Sequence, residues 1–291
     1  MTIQKKPLGT LGVEITGVDV GRDLSGGNGD NLFGDIRQAW QEAGGLMVIR
    51  DQSIDQQQHI DFSRRFGPLF HDDGQPPLQD TVSRYLHPDY PQIYRVSNKV
   101  DDKGQPTGRK GAGTYWHSDV SFRDRPAQAS ILYAIQIPPY GGDTIFADMA
   151  AAYDALSDGM KKTLAGLNAV HDFAVAAATQ YARPVVIDKD FDGANQCVHP
   201  IVRTHADTGR KSLYINPGFT SHIEGFTAEE SRPILDYLYK HATQPEFLYR
   251  HAWQPHDILV WDNRTLMHYA VSDYAADRYM ERTTVIGERP V

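Results

Sequence analysis

The sequence predicts a mainly β fold, a sandwich or barrel of short strands with helices at its periphery. Three observations predict it. Apolar-rich runs of strand length fall in two clusters along the chain, turn residues separate them, and the helical patterns do not alternate with them. A doubly wound α/β sheet would alternate strand with helix and carry a glycine-rich phosphate loop after its first strand; this chain does neither.

Element by element, "VEITGVDV" (13–20) alternates apolar and polar as a half-buried strand does. Residues 21–31 are rich in Gly, Asn and Asp and read as a loop. Residues 32–44 read as a helix that Gly44–Gly45 stops, and 46–50 as a strand. A second helix spans 53–67, with Ser53 as N-cap and Gln56 completing a capping box. The stretch 68–113 is irregular, with one strand at 93–98. Strand patterns follow at 114–122, 127–138 and 143–148, then short helices at 149–156 and 158–167. The second cluster holds strands at 198–205, 211–216, 246–253, 257–263 and 282–288. Gly209 and Pro255 mark turns within it. A helix over 227–241 carries a Thr227/Glu230 capping box and an awkward Pro233.

The whole chain, 1–291, is expected to form one domain. A net charge of −8 argues against nucleic acid as a partner, though a local arginine pocket can still bind a small anion. Cys197 is the sole cysteine, so no intrachain disulfide forms, which suits a reducing compartment. No secretory signal or membrane-spanning run is visible, and a cytoplasmic location is expected.

Metal chemistry enters through His117 and Asp119 in "TYWHSDVSF". The pattern His-any-Asp occurs five times in the chain, so the pattern alone decides nothing. On a strand, residues two apart share a face; on a helix they stand roughly 200° apart. Only His117/Asp119 has strand-favouring neighbours, Tyr115, Trp116, Val120 and Phe122. Two histidines and a carboxylate on one side of an ion suit Fe(II) that must also bind oxygen and a co-substrate. His268, after the apolar run "ILVW", is the candidate third ligand. Arg278 and Arg282 share a face if their segment is a strand. Two guanidinium groups aimed into a core call for anions; on an edge strand they would simply face water.

With these residues in place, the chain resembles the Fe(II)/2-oxoglutarate-dependent dioxygenases of the taurine and aryloxyalkanoate dioxygenase group. The resemblance rests on "WHSD" (116–119), "GGDT" (141–144), "HPIVRTH" (199–205), "WDNRTLMHYAVSDY" (261–274) and "RYMERTTV" (278–285), and runs over nearly the whole chain. It implies a double-stranded β-helix, or jelly roll, with His117, Asp119 and His268 as iron ligands. Thr144 and Arg278 would then hold the far carboxylate of 2-oxoglutarate, with Arg282 toward an anionic substrate. The gap from His268 to the arginine pair is one residue shorter than in the taurine enzyme, so the two arginines can exchange roles. His71, Asn98, Val120 and Phe122 are further candidate substrate contacts, and 70–113 a candidate lid. The implied reaction consumes O2 and 2-oxoglutarate, releases succinate and CO2, and hydroxylates a small anionic substrate. A homo-oligomer, dimer or tetramer, is implied as well. The competing readings are a metal-dependent hydrolase and a non-catalytic binding protein.

Overall fold

Leu46, Met47, Val48 and Ile49 are all fully buried, which a strand achieves only when both of its faces are covered. Met47 and Ile49 pack on Ile36, Trp40, Ile60 and Phe62, from two helices, while Leu46 and Val48 pack on Phe146 and Leu266, from a second sheet. This period of two organises the molecule. The computed structural model, which describes residues 3–24, 29–78, 85–179 and 195–291, places seven strands in one sheet. Their spatial order is Gln4–Pro7, Val13–Thr16, Leu46–Ile49, Ile258–Asp262, Ala127–Gln136, Tyr279–Ile286 and Tyr94–Ser97. Neighbours are antiparallel except Val13–Thr16 with Leu46–Ile49.

Helices Gly29–Glu42 and Gln56–Arg64 cover the outer face of this sheet. Against its inner face packs a three-stranded sheet of Leu248–His251, Thr144–Asp148 and Leu266–Ala270. Beside it lie a second three-stranded sheet, Thr220–Ile223, Asn168–Asp172 and Gln196–Pro200, and the hairpin Val202–Thr204/Lys211–Leu213. Helix Ala228–Ala242 backs this layer through Leu235 and Leu238. Among the described residues, no helix is long and apolar enough to cross a membrane.

Several elements differ from expectation. The segment 114–122 is not a strand: it consists of turns around an isolated bridge between His117 and His268, and Val120 sits at φ +58°. The second helix starts at Gln56, and its capping box is Asp55/Gln58 instead of Ser53/Gln56. Asp55 is the residue with extended backbone whose side chain accepts from the Gln58 N–H at 2.8 Å. The two box patterns overlap in "SIDQQQ", and either acceptor type serves. The loop expected at 21–31 holds the end of a short helix, Val20–Asp23, and the start of the first long one. Residues 25–28 of that loop, and 79–84 of the stretch 70–113, lie outside the described residues. Strands Gln4–Pro7, Asn168–Asp172, Thr220–Ile223 and Leu266–Ala270 were not expected. The Thr227/Glu230 box is present, and the helix runs on through Pro233.

Candidate active site

His268 stands on strand Leu266–Ala270. His117 reaches it from the turn segment by a reciprocal pair of backbone hydrogen bonds: His117 N–H donates to His268 C=O at 3.0 Å, and His268 N–H to His117 C=O at 2.8 Å. The imidazole centroids are then 4.1 Å apart. Asp119 follows on the turn, and one potential ligand atom from each of the three lies within 4.8 Å of the others. Gly113 makes room for this arrangement. Its φ is +74°, and a Cβ there would stand 2.8 Å from His117 Cε1.

Two of the three donors, His117 and Asp119, are oriented by hydrogen-bonding neighbours. His117 Nδ1 lies 2.7 Å from the carbonyl oxygen of Tyr115; a proton on that nitrogen leaves Nε2 with its lone pair toward Asp119. The Asp119 backbone N–H donates to Asn263 Oδ1 at 3.0 Å, and Ser130 Oγ donates to Asp119 Oδ2 at 2.7 Å. Asn263 closes the network by donating to Ser130 Oγ and accepting from Trp261 Nε1. Arg282 donates to the other carboxylate oxygen at 2.9 Å.

Burial works against a charge on Asp119, but Arg282 and then His268 and His117 outweigh it and hold the carboxyl well below its usual range. Burial, helped by His117 and Arg282, pushes His268 well below the usual imidazole range, so it is neutral and can ligate. The Nε2 atoms of His117 and His268 stand 3.6 and 3.8 Å from the carboxylate oxygens, outside hydrogen-bonding distance. An anionic oxygen and two imidazole nitrogens converging at this spacing fit a divalent transition-metal ion.

The three residues line a cavity that is open to solvent on one side. Thr144, Arg278, Arg282, Val120 and Phe122 also line it. Strand Tyr279–Ile286 alternates as expected, sending Met280 into the interior and Val285 to the helices. Arg278 is buried, donates to Gly142 C=O at 3.2 Å and stacks on Tyr274, but makes no ion pair among the described residues. The Nε atoms of Arg278 and Arg282 are both buried without a hydrogen-bond partner. Thr144 Oγ1 accepts from Trp253 Nε1.

Asn98 and His71 do not line the cavity. Asn98 clamps the backbone of Arg278: its Oδ1 accepts from Arg278 N–H at 2.8 Å, and its Nδ2 donates to Ala276 C=O. His71, at φ +69°, accepts from Leu78 N–H and so anchors the segment that brings Leu78 to the cavity. Sequence reasoning assigned no chemistry to Asn263 and passed over Ser130, a small hydroxyl side chain inside the buried run 129–134. That break in the pattern was the available signal. It also missed Phe173 and Phe219, which pack with Phe122 as an aromatic wall.

Residues 4–284 match the family model described as taurine catabolism dioxygenase TauD, TfdA family. The chain belongs to the TauD/TfdA family. A relative in Cupriavidus pinatubonensis, an α-ketoglutarate-dependent 2,4-dichlorophenoxyacetate dioxygenase, is 37% identical over 296 residues, spanning 98% of this chain and 97% of the relative. The crystal structure of a taurine dioxygenase from Burkholderia xenovorans superposes with a TM-score of 0.78 at 33% identity, covering 100% of this chain and 91% of that one. The structure of AAD-2 in complex with Mn(II) and N-oxalylglycine superposes equally well, TM-score 0.78 at 31% identity, covering 100% and 99%. The facing sheets described above are accordingly the double-stranded β-helix of the TauD/TfdA dioxygenases.

Proposed function

We propose that His117, Asp119 and His268 hold Fe(II), that Arg278 and Thr144 receive the far carboxylate of 2-oxoglutarate, and that the substrate is a small organic anion drawn toward Arg282. As a TauD/TfdA family member the chain is an oxidoreductase, an α-ketoglutarate-dependent dioxygenase. One observation carries the residue assignment: buried Arg278 and half-buried Arg282, each with a buried Nε that has no hydrogen-bond partner, share a cavity with a His-Asp-His cluster. Bound Fe(II) would supply the redox chemistry that couples O2 to decarboxylation of 2-oxoglutarate, yielding succinate and CO2, and to hydroxylation of a substrate C–H bond.

The protein's part follows from its own side chains. Arg278 is buried and has no carboxylate partner among the described residues, so a dicarboxylate that reaches its fork gains a charge-assisted bidentate contact in a site of low dielectric. Asn98 fixes the backbone of Arg278 and thereby the aim of that fork. Arg282 sits between Asp119 and the ring of Tyr94, 5.1 Å from its centroid, where it faces both the metal ligands and the cavity. Phe122, Phe173 and Phe219 exclude water from the remaining wall. Relatives named for an aryloxyacetate and for taurine support an anionic substrate. A cytoplasmic location and assembly as a dimer or tetramer complete the reading; light scattering checks the assembly.

The decisive experiment is an anaerobic titration with Fe(II) followed by 2-oxoglutarate, watching for a visible charge-transfer absorption. Its appearance only when both are present supports the assignment. Turnover with Zn(II) and no 2-oxoglutarate would establish a hydrolase instead.

A further inference from the structure

Trp253 does not line the cavity, yet its side chain ends on a residue that does. Its indole Nε1–H donates to Thr144 Oγ1 at 3.0 Å. Thr144 opens the middle strand of its sheet, Thr144–Asp148, and lies opposite His251 on one side and Ala270 on the other. The turn "GGDT" that leads into this strand brings Arg278 to the same place. Gly142 C=O accepts from the guanidinium at 3.2 Å, and a Cβ on Gly142, at φ +73°, would stand 3.2 Å from Arg278 Nε.

The indole has little freedom. Trp253 is buried between the two facing sheets, in one core cluster with Leu46, Leu132, Phe146 and Met280. Its ring meets that of His251 edge to face, with centroids 4.7 Å apart and planes at 89°. His251 is itself fully buried, with Nε2 3.3 Å from Asp257 Oδ2, and that same oxygen accepts from Arg50 and from the Gln254 N–H. A chain of contacts therefore runs from Arg50 through Asp257, His251 and Trp253 to the cavity wall at Thr144.

Donor counting gives this chain a meaning. A threonine hydroxyl has one proton to give and two lone pairs to accept with, whereas an indole N–H only donates. Trp253 thus occupies a lone pair of Thr144 and leaves the hydroxyl proton to be given elsewhere. Among the described residues no acceptor for that proton is found, although Thr144 is buried. A buried donor without an acceptor is costly, and a ligand that brings an anionic oxygen relieves it best.

We propose that Trp253 is a positioning residue for the co-substrate, one that fixes the Thr144 hydroxyl as a donor toward the carboxylate that Arg278 grips. The inference rests on the reading of Thr144 and Arg278 as the partners of 2-oxoglutarate. The probe is N-oxalylglycine, which carries a carboxylate at each end, titrated calorimetrically into the full chain loaded with Mn(II). The variants are W253F, which keeps an aromatic ring and drops the donor, T144V, T144S, and W253F combined with each of the last two.

W253F should bind N-oxalylglycine about fivefold more weakly than the wild type, the scale of one hydrogen bond. T144V should lose at least as much. With no hydroxyl left to aim, W253F should cost nothing further in T144V, whereas in T144S, which keeps the hydroxyl, it should cost the same fivefold. Wild-type affinity in W253F overturns the proposal. So does an equal further loss in T144V, since that would be an effect of packing and not of the hydroxyl. Should W253F not fold, 3-benzothienylalanine at position 253, which keeps the indole shape with sulfur in place of N–H, is held to the same outcomes. Failure of the Mn(II)-loaded wild type to bind N-oxalylglycine, or unchanged affinity in T144V, would sink the co-substrate reading itself, and both are seen with Trp253 intact.

Discussion

Asn263 shows how much of the site is settled one side chain away from the ligands. Its carboxamide accepts from Asp119 N–H and Trp261 Nε1 and donates to Ser130, which in turn holds Asp119 Oδ2. N263A should therefore weaken Fe(II) binding about tenfold or more, the usual cost of losing such support, read by ferrous titration under nitrogen. At Arg278 the expectation is a split. R278A should raise the KM for 2-oxoglutarate far more than that for substrate, in steady-state succinate release; the reverse split would hand the co-substrate to Arg282. The sequence made the pair His117/Asp119 legible for a reason the structure does not share. Strand alternation selected it, yet the segment is a turn, and the two side chains converge because His117 is bridged to His268 while Asn263 and Ser130 aim Asp119. Those partners come from distant strands, so no local pattern around position 117 announces them.

At the scale of elements, legibility followed burial. Leu46–Ile49, Ala127–Gln136 and Ile258–Asp262 were read correctly because both faces are covered and β-branched or apolar residues run nearly unbroken. Asn168–Asp172 and Thr220–Ile223 are short and partly exposed, and each becomes a strand only through its partner. The helix Gln56–Arg64 offers a direct test of which residue starts it. D55A should cost about 1 kcal/mol of stability, as loss of an N-cap acceptor does, whereas S53A should change the urea midpoint little. Equal effects would mean that the overlapping box at Ser53 shares the capping.

For the molecule as a whole, Asp262 ties the layers together. It closes the central strand Ile258–Asp262, accepts from His205 Nε2 at 3.0 Å and pairs with Arg264, which also reaches Asp207 and Glu288. Burial opposes its ionisation, but Arg264 and His205 overcome this and hold its carboxyl far below the usual range. A depressed carboxyl stabilises the fold above the unfolded value, near 3.9, and that contribution fades as pH falls toward the folded value. Stability to urea should accordingly be insensitive to this group between about pH 7 and pH 5 and drop below about pH 4. D262N should start less stable and lose much of that acid-limb slope.

The two imidazoles are stapled by reciprocal backbone hydrogen bonds between His117 and His268, so the backbone itself holds two of the three ligand side chains together. Stripping the protein with EDTA should leave its near-ultraviolet circular dichroism intact, and re-addition of ferrous salt should restore activity without a refolding lag. Under the proposed assignment, Fe(II) would load such a centre by mass action on a finished scaffold. The cell's free-iron level, and not the folding pathway, would then set how much of this protein is ready to work.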